Sequence, residues 1–226
     1  MVFKKAITAD QFELPDLSNS RGSSLSIAGV DEVGRGALFG PVVAAAVILP
    51  DSVLAKLAIA GVTDSKLLSA SKRQGLAVQI RSLAVACQIG YASVREIDRL
   101  NILQASLLAM KRSILKLSVQ PELCLIDGNQ RIPGLLIPQE SLIKGDQKSI
   151  VIGAASILAK VWRDELLTRM AVRYPQYGFA MNKGYGTSMH RQAIDKYGIT
   201  PYHRKSFRPC HLALLEYQPD DRAKVD

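Results

Sequence analysis

An α/β fold with a mixed central β-sheet flanked by helices is what the sequence predicts, and three observations predict it. Two apolar runs of strand length come first and close together, at 25–31 and 41–49. Shorter apolar runs follow, interleaved with stretches of helical periodicity. A close pair of strands followed by strands alternating with helices calls for both antiparallel and parallel neighbours in one sheet. The chain has 226 residues, enough for one substantial core.

Each element has a local reason. Leu25 to Asp31 is continuously apolar up to its last residue, and the Gly-rich segment Gly34 to Gly40 joins it to Pro41 to Leu49, so the two runs form a hairpin in a covered sheet. Ser69 can cap a helix that runs to about Leu83, and Val85 to Val94 is a third strand. Asn101 to Leu117 is an amphipathic helix with Ile102, Ala105, Leu108, Ala109 and Ile114 near one face. A short strand, Leu123 to Ile126, ends at Asp127-Gly128-Asn129, and a further strand is expected at Gly134 to Pro138. Ser149 to Val172 is a long helix whose first half is apolar nearly all round, hence buried.

Residues 1–24 read as a flexible polar arm, 25–217 as a single domain and 218–226 as a polar tail. The arm has no apolar stretch fit for a signal peptide, and no run approaches the ~20 apolar residues of a membrane helix. A soluble, cytoplasmic protein is expected. Cys87, Cys124 and Cys210 are an odd set without CxxC spacing, which suggests neither a disulfide framework nor zinc and suits a reducing compartment. Lys and Arg number 29 against 20 Asp and Glu, a formal charge of +9. That excess suits a polyanionic partner, with nucleic acid ahead of a membrane surface.

The acids fall where open α/β sheets keep their sites, at strand ends. Asp31 and Glu32 close the first strand, and neighbouring residues on a strand point to opposite faces. A buried carboxylate there needs a basic partner, for which Arg35 is placed, or a metal ion. Asp127 ends a later strand just before Gly128, as a ligand or as an ordinary Asp-Gly turn. Asp164 lies on the long helix four residues after Lys160, the spacing of an i,i+4 ion pair. Carboxylates without a His or Cys cluster suit hard cations such as Mg²⁺ or Mn²⁺. Asn182-Lys183-Gly184-Tyr185-Gly186-Thr187 sets a tyrosine between two glycines, able to pack on a sugar or base, or to close off the core. Thr63-Asp64-Ser65-Lys66 can bind phosphate or cap a helix, and His203 to Arg208 is a basic cluster of the kind that is usually a solvated face.

Taken together and in this order, these segments resemble the type 2 ribonucleases H, bacterial ribonuclease HII in particular. The resemblance spans about Ile27 to Arg208. Its markers are Gly29-Val-Asp-Glu-Val-Gly-Arg-Gly36 with Gly40-Pro-Val-Val-Ala-Ala-Ala46, Asp64-Ser-Lys66, Ile126-Asp-Gly-Asn129 and Lys144-Gly-Asp146. They continue through Ala154-Ala-Ser-Ile-Leu-Ala-Lys-Val-Trp-Arg-Asp164, Lys183-Gly-Tyr-Gly-Thr187 with His190, and His203-Arg-Lys-Ser-Phe207. Departures from the family pattern are Ala37, Gly186 and Arg208, none of which removes a carboxylate.

The resemblance implies a ribonuclease H-like fold with a small helical C-terminal extension, about 175–217, that helps to hold a duplex. It implies cleavage of the RNA strand of RNA–DNA hybrids and cutting 5′ of single ribonucleotides embedded in duplex DNA, leaving 3′-hydroxyl and 5′-phosphate ends. It makes Asp31, Glu32, Asp127 and Asp164 the catalytic ligands of two divalent ions, Mg²⁺ or Mn²⁺. Gly34, Arg35, Gly36, Ser65, Lys66, Lys183, Tyr185 and Arg204 become the substrate contacts. A monomer is expected, and contact with a sliding clamp is left open. Among rivals, a dinucleotide enzyme is disfavoured because glycines 34, 36 and 40 do not form GxGxxG and a strand-like run follows Pro41 where a helix is required. A binding module has no use for several acids at a sheet edge, and a junction resolvase gives no reason for the Lys183 to Thr187 turn.

Overall fold

The structure of the protein, a computed structural model, describes residues 26–216. The arm and the tail expected at 1–24 and 218–226 therefore lie outside the described residues. Five strands form one sheet: β1 (Ile27–Val33), β2 (Val42–Ile48), β3 (Ala86–Ala92), β4 (Leu123–Asp127) and β5 (Gln139–Leu142), in the order β3-β2-β1-β4-β5. β1 pairs antiparallel with β2 and β2 with β3, whereas β1–β4 and β4–β5 are parallel. The sheet is mixed, and its first two strands are the hairpin expected from the sequence.

β2 shows why its run is apolar throughout, since all seven of its residues are buried. Val42, Ala44, Ala46 and Ile48 face a core completed by Ala105, Met110 and Ile114 of α4 (Ile102–Leu115). Val43, Ala45 and Val47 face the opposite core, completed by α2 (Ala70–Leu83) and α6 (Ile150–Arg173). A strand covered on both sides has no polar face to show. The first half of α6 is buried as expected, because it runs across β1: a Cβ on Gly29 would lie 2.2 Å from the Val151 carbonyl carbon.

Before α4, two helices escaped the reading of the sequence. α1 (Asp51–Ala60) follows Pro50 with no side-chain cap hydrogen bond, and only Asp51 in its first turn marks its start. α3 (Val94–Leu100) did carry one: Ser93 and Glu96 form a capping box, and Glu96 also pairs with Arg112 of α4 at 2.7 Å. The strand expected at Gly134 to Pro138 is displaced to β5. Pro138 has no N–H, so the ladder opens with its carbonyl, which accepts from the Cys124 amide at 2.9 Å. The Gln139 side chain occupies the backbone groups of Ile132, and Leu136 is left almost fully exposed.

After a short α5 (Gly145–Lys148), the chain beyond α6 folds into α7 (Phe179–Asn182), α8 (Ser188–Tyr197) and α9 (Arg208–Glu216). These surround a third apolar cluster in which Phe39, Tyr177, Phe179 and Ile194 pack with Leu167 of α6. The loop between β1 and β2 supplies Leu38 and Phe39 to that cluster, and isolated bridges Ala37–Tyr185 and Phe39–His203 stitch it there. No described helix is long and apolar enough to cross a membrane.

The close approach of α6 to β1 gives a direct test. Gly29→Ala forces a methyl into the Val151 backbone, so urea unfolding should show a loss of about 1–3 kcal/mol with an unchanged m-value.

Candidate metal centre and the turn beside it

Asp31, Glu32 and Asp127 meet at one end of the sheet, each offering a carboxylate oxygen within 4.8 Å of the others. The register explains the meeting. Val30 of β1 lies opposite Ile126 of the parallel β4, so the next residue on each strand, Asp31 and Asp127, emerges beside the other. Each acid has some local support. Asp31 Oδ1 accepts the Glu32 amide at 2.7 Å, Glu32 Oε1 accepts from Arg35 Nη1 at 3.1 Å, and Asp127 Oδ1 accepts the Gly145 amide at 2.7 Å.

That support does not offset the crowding. Burial first, then the charges of Glu32 and Asp127, push the Asp31 carboxyl well above its usual range, against hydrogen bonds from Ser156 and the Glu32 amide. Burial likewise raises Glu32, and Arg35 only partly counters it. Carboxylates that are destabilised as anions and offer oxygen alone form a donor set fitted to a hard divalent cation.

The other expected residues distribute differently. Asp164 does not join the group. Its oxygens are taken by Lys160 at 2.8 Å, the i,i+4 pair its spacing allows, and by Arg73 at 3.7 Å. It lines a separate cavity of about 410 Å³ with Arg73, Thr168 and Lys183. Asp146 instead feels the charge of Asp127, directly after the Gly145 amide that binds Asp127. Burial, then the charges of Asp127 and Asp64, raise its carboxyl, with Lys66 opposing. The signal was in the sequence, in Lys144-Gly145-Asp146, but nothing in that spacing distinguished it from a turn. Lys66 lies near four of the acids: burial lowers its ammonium, and Asp64, Asp31, Asp146 and Asp127 more than reverse the effect.

Ser65 and Arg204, expected as substrate contacts, are both buried. The Ser65 side chain is buried 3.0 Å from the Ser156 hydroxyl, while Asp64 caps the turn around it through the Lys66 amide. His203 and Arg204, in a basic cluster of the kind that is usually a solvated face, are fully buried. Arg204 donates to three backbone carbonyls, those of Gly34, Arg35 and Gly40. Of the expected substrate contacts, those left exposed are Arg35, Gly36 and Lys66, with Lys183 and Tyr185 half-buried.

Tyr185 is held from behind by a chain of ring nitrogens. The Thr200 amide donates to His203 Nδ1 at 2.9 Å, which leaves the His203 proton on Nε2. That proton is directed at His190 Nε2, 3.1 Å away, and His190 Nδ1 then donates to the Tyr185 carbonyl at 3.0 Å. Only neutral rings can make this chain. Burial, and secondarily His190, hold His203 down at about 3, so it stays neutral at any ordinary pH.

The raised Asp31 carboxyl sets a pH test. Its protonated form is favoured in the folded state, so the stability it contributes is full below the unfolded carboxyl range and is lost as pH rises through the raised value. In a chelator, Asp31→Asn should therefore gain on the parent protein as pH goes from 4 to 8. Thermal unfolding with and without Mg²⁺ checks it: the ion should stabilise the parent near neutrality and narrow the gap.

Comparison with known proteins agrees with this geometry. The family model for Ribonuclease HII matches residues 28–210. The ribonuclease HII of Trichodesmium erythraeum is 63% identical over 189 residues, covering 84% of this chain and 90% of the relative. Among solved structures, ribonuclease H2 from Pyrococcus horikoshii aligns with a TM-score of 0.71 at 23% identity, covering 84% of this chain and 97% of its own. Bst ribonuclease HIII in complex with Mn²⁺ aligns with a TM-score of 0.70 at 23% identity, covering 85% of this chain and 70% of its own. With a family match over most of its length and this sheet beneath its acids, the chain belongs to the ribonuclease HII family, ribonuclease H hydrolases.

Proposed function

We propose that the protein cleaves the RNA strand of RNA–DNA hybrids and cuts on the 5′ side of a single ribonucleotide in duplex DNA, leaving 3′-hydroxyl and 5′-phosphate ends. One observation carries the reading. The carboxylate trio lies directly before an outward-facing turn, Arg35-Gly36, with Tyr185 bridged to Ala37 on its other side. Hydrolytic groups and a surface that can meet a sugar thus share one edge.

Asp31, Glu32 and Asp127 would hold the divalent ions, Mg²⁺ or Mn²⁺, and Mn²⁺ is the ion of the Bst ribonuclease HIII complex. We assign the fourth carboxylate to Asp146, whose charge couples to Asp127, and not to Asp164, whose oxygens are engaged by Lys160 and Arg73. When bound, the ions supply activation of water and stabilisation of the departing 3′ oxygen. The chain's own groups do the rest. Lys66 and Arg35 are the cations beside the acids and meet the scissile strand's phosphates. The substrate's 2′-hydroxyl is not the nucleophile and serves recognition, as the group that separates RNA from DNA. The amides of the 34–36 turn meet it, and Tyr185 packs on the next deoxyribose. Removal of misincorporated ribonucleotides and of primers from DNA is the role that fits. The buried thiols of Cys124 and Cys210, pushed up by burial to about 12 and about 11, suit a reducing cytoplasm.

Asp127→Asn should lower Mg²⁺-dependent cleavage of a hybrid by at least about a hundredfold, as expected when an essential ligand of a metal-ion reaction is lost, with an unchanged circular dichroism spectrum. Full activity would sink the assignment. In the same assay, Asp146→Asn should cost far more activity than Asp164→Asn, and the reverse order would return the fourth place to Asp164. Mapping the cut on a duplex with one ribonucleotide, with Mg²⁺ and then Mn²⁺, tests the proposed 5′ position. Tyr185→Ala should lose that substrate more than a long hybrid, and equal losses would count against Tyr185 as the reader of the junction.

A further inference from the structure

Two arginines, Arg163 of α6 and Arg204 after α8, are completely buried, and among the described residues neither has a carboxylate within ion-pair distance. A buried cation without a counter-ion is expensive unless its donors are all met. Here every guanidinium nitrogen finds a backbone carbonyl. Arg204 donates through Nε to Gly40 at 3.0 Å, through Nη1 to Arg35 at 2.7 Å and through Nη2 to Gly34 at 2.7 Å. Arg163 donates through Nε to Pro41 at 3.2 Å, through Nη1 to Lys183 at 2.9 Å and through Nη2 to Phe39 at 3.0 Å.

Six donors thus fix the carbonyls of residues 34, 35, 39, 40 and 41 and one carbonyl of the Tyr185 turn. The fit leaves no slack. Gly34 has φ +89°, and a Cβ there would lie 2.2 Å from Arg163 Nε. The Arg163 guanidinium also lies 5.4 Å from the Tyr185 ring centroid. Burial, then the neighbouring Arg163 charge, lower the Arg204 guanidinium to about 9, still cationic near neutrality.

The consequence follows from peptide geometry. In a trans peptide the C=O and the next N–H point in opposite directions. With the Gly34 and Arg35 carbonyls drawn inward to Arg204, the amides of Arg35 and Gly36 are turned outward, on the two exposed residues of the loop. Three carbonyls met at once by a planar fork is a task Lys cannot do, since it offers one compact ammonium.

We infer that Arg204, with Arg163 behind it, is a positioning residue for ribose recognition: it aims the Arg35 and Gly36 amides and so sets how strongly cleavage depends on a 2′-hydroxyl. The inference rests on the reading above that this turn meets that hydroxyl.

Arg204→Lys keeps the charge and removes the fork. The variant is compared with the parent on duplexes carrying either one ribonucleotide or its 2′-fluoro analogue, and Mn²⁺ affinity is measured by titration calorimetry. The parent should favour the 2′-hydroxyl strongly. The variant should lose at least tenfold in kcat/KM on the ribonucleotide, shrink the hydroxyl-to-fluoro ratio by a similar factor, and bind Mn²⁺ within about twofold of the parent, the scatter allowed an undisturbed site. A fall in both rates with the ratio preserved would overturn the inference, because a merely structural role lowers activity without changing what is read. Amide hydrogen exchange of the 33–42 segment decides the positioning step without any substrate. Faster exchange in the variant supports it, and unchanged exchange overturns it. Should the parent fail to cut the ribonucleotide duplex at all, the proposed function falls, while the exchange result still decides whether Arg204 holds the turn.

Discussion

Parallel pairing of β1 with β4, in the register Val30 to Ile126, is the constraint on which the rest depends. It brings Asp31 and Asp127 out at the same sheet end. A slip of one residue would send the side chains of one strand to the opposite face and separate the acids. The register is secured from both sides, because β1 also pairs with the wholly buried β2 and α6 lies hard against Gly29. The fold thereby spends hydrophobic packing to hold together like charges that would otherwise part. Burial first, and the neighbouring charges second, raise the proton affinities of the Asp31 and Glu32 carboxyls, and a divalent cation is the natural relief for them.

The loop from Gly34 to Pro41 answers a different problem. It must leave the sheet at the acid site, turn outward, and return into β2 without regular pairing of its own. Backbone groups in such a segment need partners, and two guanidinium forks provide them. The cations gain carbonyl dipoles, and the carbonyls gain donors in a place water does not reach. Positive charge is used here as internal scaffolding, which means the chain's basic surplus is not all available to a polyanion.

Much of this was legible in the sequence, and the failures have physical causes. Apolar runs ending in acids gave β1, β4 and the trio, because a covered strand can carry charge only at its end. Ser69 marked α2, and Ser93 with Glu96 marked α3 had the box been read. Asp164 and Asp146 were not separable, since a one-dimensional pattern shows Lys160 four residues away but not Arg73 closing on the other oxygen, nor Asp127 close to Asp146. Arg204 looked like surface because its cluster is basic. Its burial depends on carbonyls some 170 residues away in sequence, and backbone acceptors leave no trace in residue type. β5 was misplaced because Leu135 and Ile137 are buried without belonging to a ladder.

The bridges from Ala37 to Tyr185 and from Phe39 to His203 make one loop a structural member of both the sheet and the C-terminal helices. With Phe39 sunk among Tyr177, Phe179 and Leu167, the two parts share an inseparable seam and not a hinge. On the proposed function, a duplex would meet a sheet end and a Tyr185 turn that folding has already joined. The ordering cost of that junction then falls on folding, before any substrate arrives, so the proposed discrimination between sugars would draw on a surface set in advance.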